Sequence, residues 1–331
     1  MNPYEMSAFL CRRFNAVLGC LFWSILLSVG LFNSPFEPVP ALANVSTEAT
    51  PRPVIIATVE PIALLVREIC DDSCDVLTLI PKGVSEHDWQ PKPKEIVRAK
   101  NAVASMAIGL GFDDGWFKKI GTNPKSILWL GPILSPMSWW SDDMTGSAKH
   151  GPEATTHKGH EHEHGSVDPH VWVDAVRMGV AAIAVARHLS QVLPAHASGF
   201  EGRAKIISER LAALQLAVEA RRKSWSSRPV VMFHDVAGYF GRRFGLPILA
   251  VASGSSGHDL SARMMGDMSR RFSAANVAAV VVERDGGAAK NLARELKTTI
   301  YVVDFAASKN YTKWDDWYLQ VVNTWESILK K

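Results

Sequence analysis

Short apolar runs alternate with amphipathic stretches through the first half of the chain. Residues 53–59, 75–80 and 102–108 have the continuous, β-branched character of buried strands, whereas 60–69 and 92–100 carry apolar residues at helical spacing. Alternation of this kind predicts a parallel sheet with helices on its faces.

The same alternation begins again at residue 229 and predicts a second sheet. Its strands are expected at 229–233, 247–251, 277–283 and 299–304, with helices between them and a closing amphipathic helix at 313–330. The predicted fold class is therefore α/β, with two Rossmann-like lobes that each contain a parallel sheet.

A helix-rich region joins the two sets of strands. Residues 174–193 and 197–225 show helical patterning on either side of Pro194, and the second segment could run unbroken for about 20 residues, or roughly 30 Å. Such a helix would be a rigid connector between the lobes, although the same pattern is also typical of an ordinary packed surface helix. We expect a linker helix at 195–225.

The first fifty residues are expected to lie outside the fold. Basic residues precede a mostly apolar run at 14–32, and the small-x-small pattern Ala41-Leu42-Ala43 follows. This arrangement predicts a cleaved signal peptide at 1–43, with an uncleaved membrane anchor or a lipoprotein signal at Cys20 as weaker alternatives. The N-terminal lobe would then span 44–194 and the C-terminal lobe 226–331.

An irregular segment at 139–166 interrupts the N-terminal lobe. It has almost nothing apolar to bury, so we expect a disordered loop. Glu161 and Glu163 are interleaved with histidines in it, and five of the 11 histidines of the chain lie there: His150, His157, His160, His162 and His164. Clustered imidazoles favour zinc, copper, nickel or cobalt, which predicts an accessory metal-binding loop; a merely solvated polar loop is the alternative.

Charge and cysteine content narrow the range of functions. The 331 residues include 36 Lys and Arg against 33 Asp and Glu, and the formal charge of +3 with no basic stripe gives no electrostatic case for a nucleic-acid partner. Without the signal peptide, Cys70 and Cys74 are the remaining cysteines. In an oxidising compartment they are expected to form a disulfide that closes a turn, with a metal site as the weaker alternative.

Three histidines and one aspartate outside the irregular segment lie at or near predicted strand ends. His234 directly follows the strand at 229–233, and Asp304 ends the strand at 299–304. Ligands of open α/β sheets bind beyond the carboxyl ends of the strands, and three imidazoles with one carboxylate form a sensible tetrahedral set for zinc. The sequence therefore predicts one metal site in the cleft between the lobes, with two ligands from each: His87, His170, His234 and Asp304.

Five motifs are specific in combination, and they extend over about residues 53 to 330. They are Gly83 to Pro91, Asn101 to Trp116, Asp168 to Asp174, Arg228 to Phe240, and Val280 to Glu283 leading to Asp304. Together they resemble the periplasmic zinc-binding proteins of high-affinity zinc uptake ABC transporters, in the metal-specific solute-binding family. The resemblance implies two α/β lobes joined by a long rigid helix, with the metal between them.

The resemblance also implies roles for individual residues. It places the metal ligands on the same four positions and gives Glu86 as an alternative carboxylate ligand or a support for His87. His234 occupies a position at which manganese-binding members generally have a carboxylate, which favours zinc; manganese or another divalent metal is the alternative. The histidine-rich loop is a feature of zinc-binding members.

The expected function is that of a monomeric periplasmic solute-binding protein, not an enzyme. It would capture Zn²⁺ as a transported ligand and deliver it to an inner-membrane ABC permease and its ATPase, with an auxiliary periplasmic zinc protein as a further partner. A secreted zinc hydrolase is the less favoured alternative, because the chain has neither His-Glu-x-x-His nor a nucleophile elbow. Because imidazole binds metals in its neutral form, we expect zinc affinity to fall as the pH drops through the histidine range.

Overall fold

Two four-stranded, all-parallel sheets form the framework of the protein. The structure is a computed structural model that describes residues 51–84, 89–138, 167–251 and 262–330. The first sheet has the order β2-β1-β3-β4 and consists of β1 (Val54–Ala57), β2 (Asp75–Thr78), β3 (Ala104–Ala107) and β4 (Ile127–Trp129). The second has the order β6-β5-β7-β8 and consists of β5 (Val230–Met232), β6 (Ile248–Val251), β7 (Ala279–Val282) and β8 (Thr299–Val302). The predicted pair of parallel-sheet lobes is confirmed.

Helices follow most of the strands, as the alternating pattern predicted. In the first lobe these are α1 (Glu60–Cys70), α2 (Pro93–Lys100) and α3 (Asp114–Ile120). Two long helices then connect the sheets, α4 (Ala175–Val192) and α5 (Ala197–Arg222). The second lobe has α6 (Gly238–Phe244), α7 (Ala262–Phe272), α8 (Gly287–Glu295) and α9 (Trp314–Ile328). Within the described ranges, none of the helices combines the length and apolar character needed to cross a membrane.

The sequence pattern did not predict α3 and β4. The helix has only seven residues and the strand three, so neither is long enough to establish a clear period. All three residues of β4 are half-buried. The strand is nevertheless fixed by its pairing with β3, in which Ser105 lies opposite Ile127 and Ala107 opposite Trp129.

The long helix α5 runs unbroken for 26 residues after a short 3-10 turn at Pro194–His196. One face is buried along its whole length, from Phe200 through Ile207 and Leu211 to Val218. This face packs mainly on α4 and also contacts α1 and α9. The helix therefore connects the two sheets and at the same time packs as an ordinary amphipathic helix, so the two interpretations of its pattern are compatible.

Both sheets reverse their strand order between their first and third strands. Such a reversal opens a crevice at the carboxyl ends, where ligands of α/β proteins bind. In the first lobe the protein fills this crevice itself, because the hydroxyl of Thr58 donates to Asp113 Oδ2 at 2.5 Å and the amides of Ile108 and Gly109 donate to the same carboxyl group. Burial raises the pKa of Asp113 to about 6. The corresponding crevice of the second lobe is therefore the candidate ligand site.

Cys70 and Cys74 are both buried and free in the structure, so the disulfide expected from the sequence is not formed in it. Cys70 ends α1, and Cys74 follows the 3-10 turn at Asp71–Ser73. The neighbouring Cys74 side chain and burial raise the pKa of the Cys70 thiol. A disulfide between them stays a prediction for the oxidised protein.

Several predicted features lie outside the described residues. They are the signal peptide at 1–43, the two candidate ligands Glu86 and His87, and the histidine-rich segment at 139–166 with His150, His157, His160, His162 and His164.

Candidate metal centre

The crevice of the second lobe is flanked by a histidine and a glutamate. His234 follows β5 by two residues, and Glu283 directly follows β7, the strand paired with β5. The amide of Phe233 donates to the carbonyl of Val281 at 2.8 Å, which extends the ladder up to the residue before His234. The Nδ1 atom of His234 lies 2.6 Å from Glu283 Oε2. Strand pairing thus brings an imidazole and a carboxylate together at the position where α/β sheets bind ligands.

His170 reaches the same region from the first lobe. It does not follow a strand of the sheet, although the sequence analysis placed the candidate ligands at or near strand ends. An isolated antiparallel bridge pairs Met137 with Asp168, and His170 then precedes a 3-10 turn at Val171–Val173. The carboxylate of Asp168 accepts from the His170 amide at 2.9 Å and lies 2.7 Å from its Nδ1. Both side chains are completely buried, so the orientation of the ring is fixed.

The two imidazoles are neighbours across the lobes. The ring centres of His170 and His234 are 5.3 Å apart, and the ring planes are nearly perpendicular at 85°. Two imidazoles on one tetrahedral zinc ion would have centres about 5 Å apart, given Zn–N bonds of about 2.0–2.1 Å. In both residues Nδ1 is held by a carboxylate, an arrangement that fixes the tautomer of metal-binding histidines and directs Nε2 to the metal.

Asp304 lies at the end of the neighbouring strand, two residues after β8. Its carboxylate accepts from the Ser308 amide at 2.8 Å and from the Tyr311 hydroxyl at 3.3 Å. Burial and the Asp304 carboxylate raise the pKa of Tyr311 to about 12, so the hydroxyl remains a donor near neutral pH. The indole of Trp172, which packs edge-on against His170, donates to the carbonyl of Phe305 at 3.0 Å. The loop that begins at Asp304 is thereby fixed to the His170 segment.

A second contact ties this loop to the segment that leads toward His87. The ammonium group of Lys82 donates to the carbonyl of Lys309 at 3.2 Å and lies 3.1 Å from the buried carboxylate of Glu60. Burial opposes ionisation of Glu60, but hydrogen bonds from Arg67, Thr78 and Lys82 outweigh it and lower the pKa of its carboxyl. A small pocket of about 20 Å³ lies here between the lobes, lined in part by Glu60, Lys82, Trp172 and Ala306.

The described part of the chain supplies only part of the predicted ligand set. Within it, no group of three or more His, Cys, Asp or Glu side chains is arranged to hold a metal ion. The structure brings His170 and His234 together and does not place Asp304 in such a group with them. Because His87 and Glu86 lie outside the described residues, the full set stays a prediction.

Sequence reasoning did not assign roles to the two carboxylates that hold the imidazoles. Glu283 carried a signal, since it ends the predicted strand at 277–283 beside the crevice. Asp168 carried a weaker one, since it lies two residues before His170 but follows an irregular segment. The pairing of Glu283 with His234 cannot be derived from spacing, because the two residues are 49 positions apart.

Comparisons with known proteins identify the family of this chain. The family model described as zinc-uptake complex component A, periplasmic, matches residues 55–330. Over 200 residues the chain is 23% identical to the high-affinity zinc uptake system protein ZnuA of Yersinia pestis, which covers 58% of this chain and 63% of that protein. Over 289 residues it is 24% identical to the zinc-binding lipoprotein AdcA of Streptococcus pneumoniae, which covers 84% of this chain and 55% of that protein. The chain thus spans less than two thirds of the length of these relatives.

Among solved structures, a crystal structure of ZnuA superposes with a TM-score of 0.69 at 18% sequence identity, covering 84% of this chain and 98% of that chain. At this identity the superposition supports the two-lobe fold alone. The family model, in contrast, matches well over half of the chain. The protein therefore belongs to the ZnuA family of periplasmic zinc-uptake complex components.

Proposed function

We propose that this protein is a periplasmic solute-binding protein that captures Zn²⁺ and delivers it to an ABC permease and its ATPase in the inner membrane. The observation that carries the proposal is the pair of imidazoles from different lobes, 5.3 Å apart and each held through Nδ1 by a carboxylate. The names of the relatives, a zinc uptake protein and a zinc-binding lipoprotein, support zinc as the ligand.

The proposed ligand set consists of His87, His170, His234 and Asp304, with Glu86 as the alternative carboxylate. Three nitrogen donors favour zinc over manganese, which prefers a site richer in oxygen. Four protein ligands leave no coordination position for a reacting water, which suits storage and transfer of an ion rather than catalysis. This agrees with a family of transport components, and we infer that the chain is not an enzyme.

The other sequence predictions enter the proposal unchanged. A signal peptide at 1–43 would direct the chain to the periplasm, where the lobes at 44–194 and 226–331 would be joined by the linker at 195–225. The Cys70–Cys74 pair would be oxidised there. We further propose that the protein acts as a monomer and that an auxiliary periplasmic zinc protein is an additional partner.

A binding assay combined with a growth assay tests the proposal. The purified mature protein, titrated against a competing chelator, is expected to bind one zinc ion tightly and manganese much more weakly. A strain that lacks the gene is expected to grow poorly under zinc starvation and to recover when zinc is added. Tight zinc binding without a growth defect would contradict delivery to a permease and would favour a buffering role.

Deletion of residues 150–165 is expected to lower the number of zinc ions bound and to leave the affinity of the primary site almost unchanged. The reason is that the deleted imidazoles form a local cluster, whereas the primary site uses residues fixed by the two lobes. Calorimetric titration of the full-length and shortened mature proteins measures both quantities. An unchanged number of bound ions would rule out a metal-binding role for this segment.

A further inference from the structure

Tyr239 belongs to the second lobe, but its hydroxyl binds the segment of the first lobe that carries His170. The residue lies in α6, five positions after His234, and is completely buried. Its hydroxyl donates to the carbonyl of Asp168 at 2.6 Å and accepts from the amide of Met137 at 3.1 Å. The guanidinium of Arg177 stacks over the ring, 4.5 Å from its centre. One phenol therefore binds both residues of the Met137–Asp168 bridge.

The preceding residue, Gly238, constrains the Asp168 side chain. A Cβ atom at Gly238 would collide with Oδ2 of Asp168. Glycine is therefore required here for space, since the helix passes directly against the carboxylate. Two adjacent residues of the second lobe thus act on Asp168: the Tyr239 hydroxyl binds its backbone carbonyl, and Gly238 leaves the space that its carboxylate occupies.

Asp168 transfers this constraint to the histidine. Its Oδ1 accepts from the amide of His170 and lies 2.7 Å from Nδ1 of the same residue. The two residues that act on Asp168 follow His234 closely in sequence. A continuous chain of contacts therefore runs from the segment after His234, through Asp168, to the imidazole that faces His234.

We propose that Gly238 and Tyr239 are positioning residues that act through Asp168 to hold the His170 imidazole at its distance and angle from His234. The second lobe would thus determine the geometry of a ligand supplied by the first. The proposal rests on the proposed function, because it treats the two histidines as ligands of the same zinc ion. Partners that orient metal-binding histidines typically affect metal affinity 10- to 100-fold, roughly.

Tyr239→Phe is the first test, because it removes a hydroxyl and leaves the ring in place. We expect zinc affinity to fall about tenfold, since the half-buried Met137 amide and the buried Asp168 carbonyl lose their partner and the bridge relaxes. Gly238→Ala is expected to reduce affinity at least as much by displacing the carboxylate. The matched control is Tyr301→Phe on β8, which should change affinity less than about twofold.

A second measurement reports on His170 without zinc. In nitrogen-15 NMR spectra of the metal-free protein, Tyr239→Phe should shift the Nδ1 resonance of His170 and leave that of His234 in place. If Tyr239→Phe lowers the melting temperature but changes neither zinc affinity nor the His170 resonance, Tyr239 has only a structural role and the proposal is wrong. This holds even if Gly238→Ala does not fold.

The shortened protein that lacks residues 150–165 tests whether Tyr239 affects zinc binding through the deleted segment instead of through Asp168. The loss of affinity caused by Tyr239→Phe must persist in it; if it disappears, Tyr239 acts through the deleted segment and the proposal is wrong. A failure of the proposed function would give a different result from a failure of this inference. In that case the unaltered protein would not bind zinc tightly, whereas the His170 resonance would still respond to Tyr239→Phe.

Discussion

Replacement of His234 with alanine is expected to lower zinc affinity roughly 100- to 1000-fold. Structural zinc sites contribute about 10–16 kcal/mol, so one of four ligands accounts for roughly 3–4 kcal/mol. The loss should be near the upper end, because His234 is oriented by Glu283 and contributes directly to the pair with His170. Competition with a chromophoric chelator at neutral pH measures the change.

His188→Ala is the matched control for this experiment. The His188 ring is half-buried and its Nε2 lies 3.3 Å from the carbonyl of Ser126, outside the candidate site. Its replacement should change zinc affinity less than about twofold, which separates loss of a ligand from loss of any imidazole. If His234→Ala keeps zinc affinity within tenfold of the unaltered protein, the ligand set is wrong. His234→Asp should in addition shift the preference toward manganese, because it replaces nitrogen with oxygen.

Replacement of Asp174 with alanine is expected to lower the free energy of unfolding by roughly 3–5 kcal/mol. The side chain is completely shielded from solvent and pairs with Arg243 Nη2 at 2.7 Å and with Arg177 Nη1 at 3.1 Å. It also caps α4, since its Oδ1 accepts from the Arg177 amide at 2.9 Å. Alanine would leave two largely buried guanidinium groups without their carboxylate and would remove a contact between the lobes. Urea denaturation of the metal-free protein measures the effect.

Two further variants define the cause of that loss. Asp267→Ala removes a carboxylate whose ion pair with Arg270 is exposed on both sides, so it should change the free energy of unfolding by less than about 1 kcal/mol. Asp174→Asn keeps the capping oxygen and removes the charge, so it should fall between the two. A loss below about 1 kcal/mol for Asp174→Ala would show that the buried ion pairs do not stabilise the junction of the lobes.

Much of the fold could be predicted because the central strands of both sheets are buried on both faces. The strands around Ile55 and Val280 form continuous apolar runs, which are visible without knowledge of their neighbours. In contrast, β4 at Ile127–Trp129 is three residues long and half-buried, and its position depends on β3. The strand that the sequence analysis missed is thus one that depends on long-range pairing.

Some residues of the candidate site could likewise be predicted from the sequence, and others could not. His234 and Asp304 were identified because each follows an apolar run, and the end of a strand is a local property of the sequence. Glu283 was not assigned, because strand order brings it to an imidazole 49 positions away. Asp168 was not assigned, because it follows an irregular segment rather than a strand of either sheet. No local pattern reports that the Tyr239 hydroxyl lies 2.6 Å from a carbonyl of the other lobe.

Local sequence patterns were sufficient to predict the two α/β lobes, the long helix between them and the residue types suited to a metal. These follow from the periodicity of apolar residues and from the chemistry of side chains, both of which are encoded locally. The packing of the lobes, in contrast, places the ring centres of His170 and His234 5.3 Å apart, and a different carboxylate holds each ring. The distance between the two rings depends on how the two sheets pack against each other. The number of residues between two positions in the sequence does not reveal that distance.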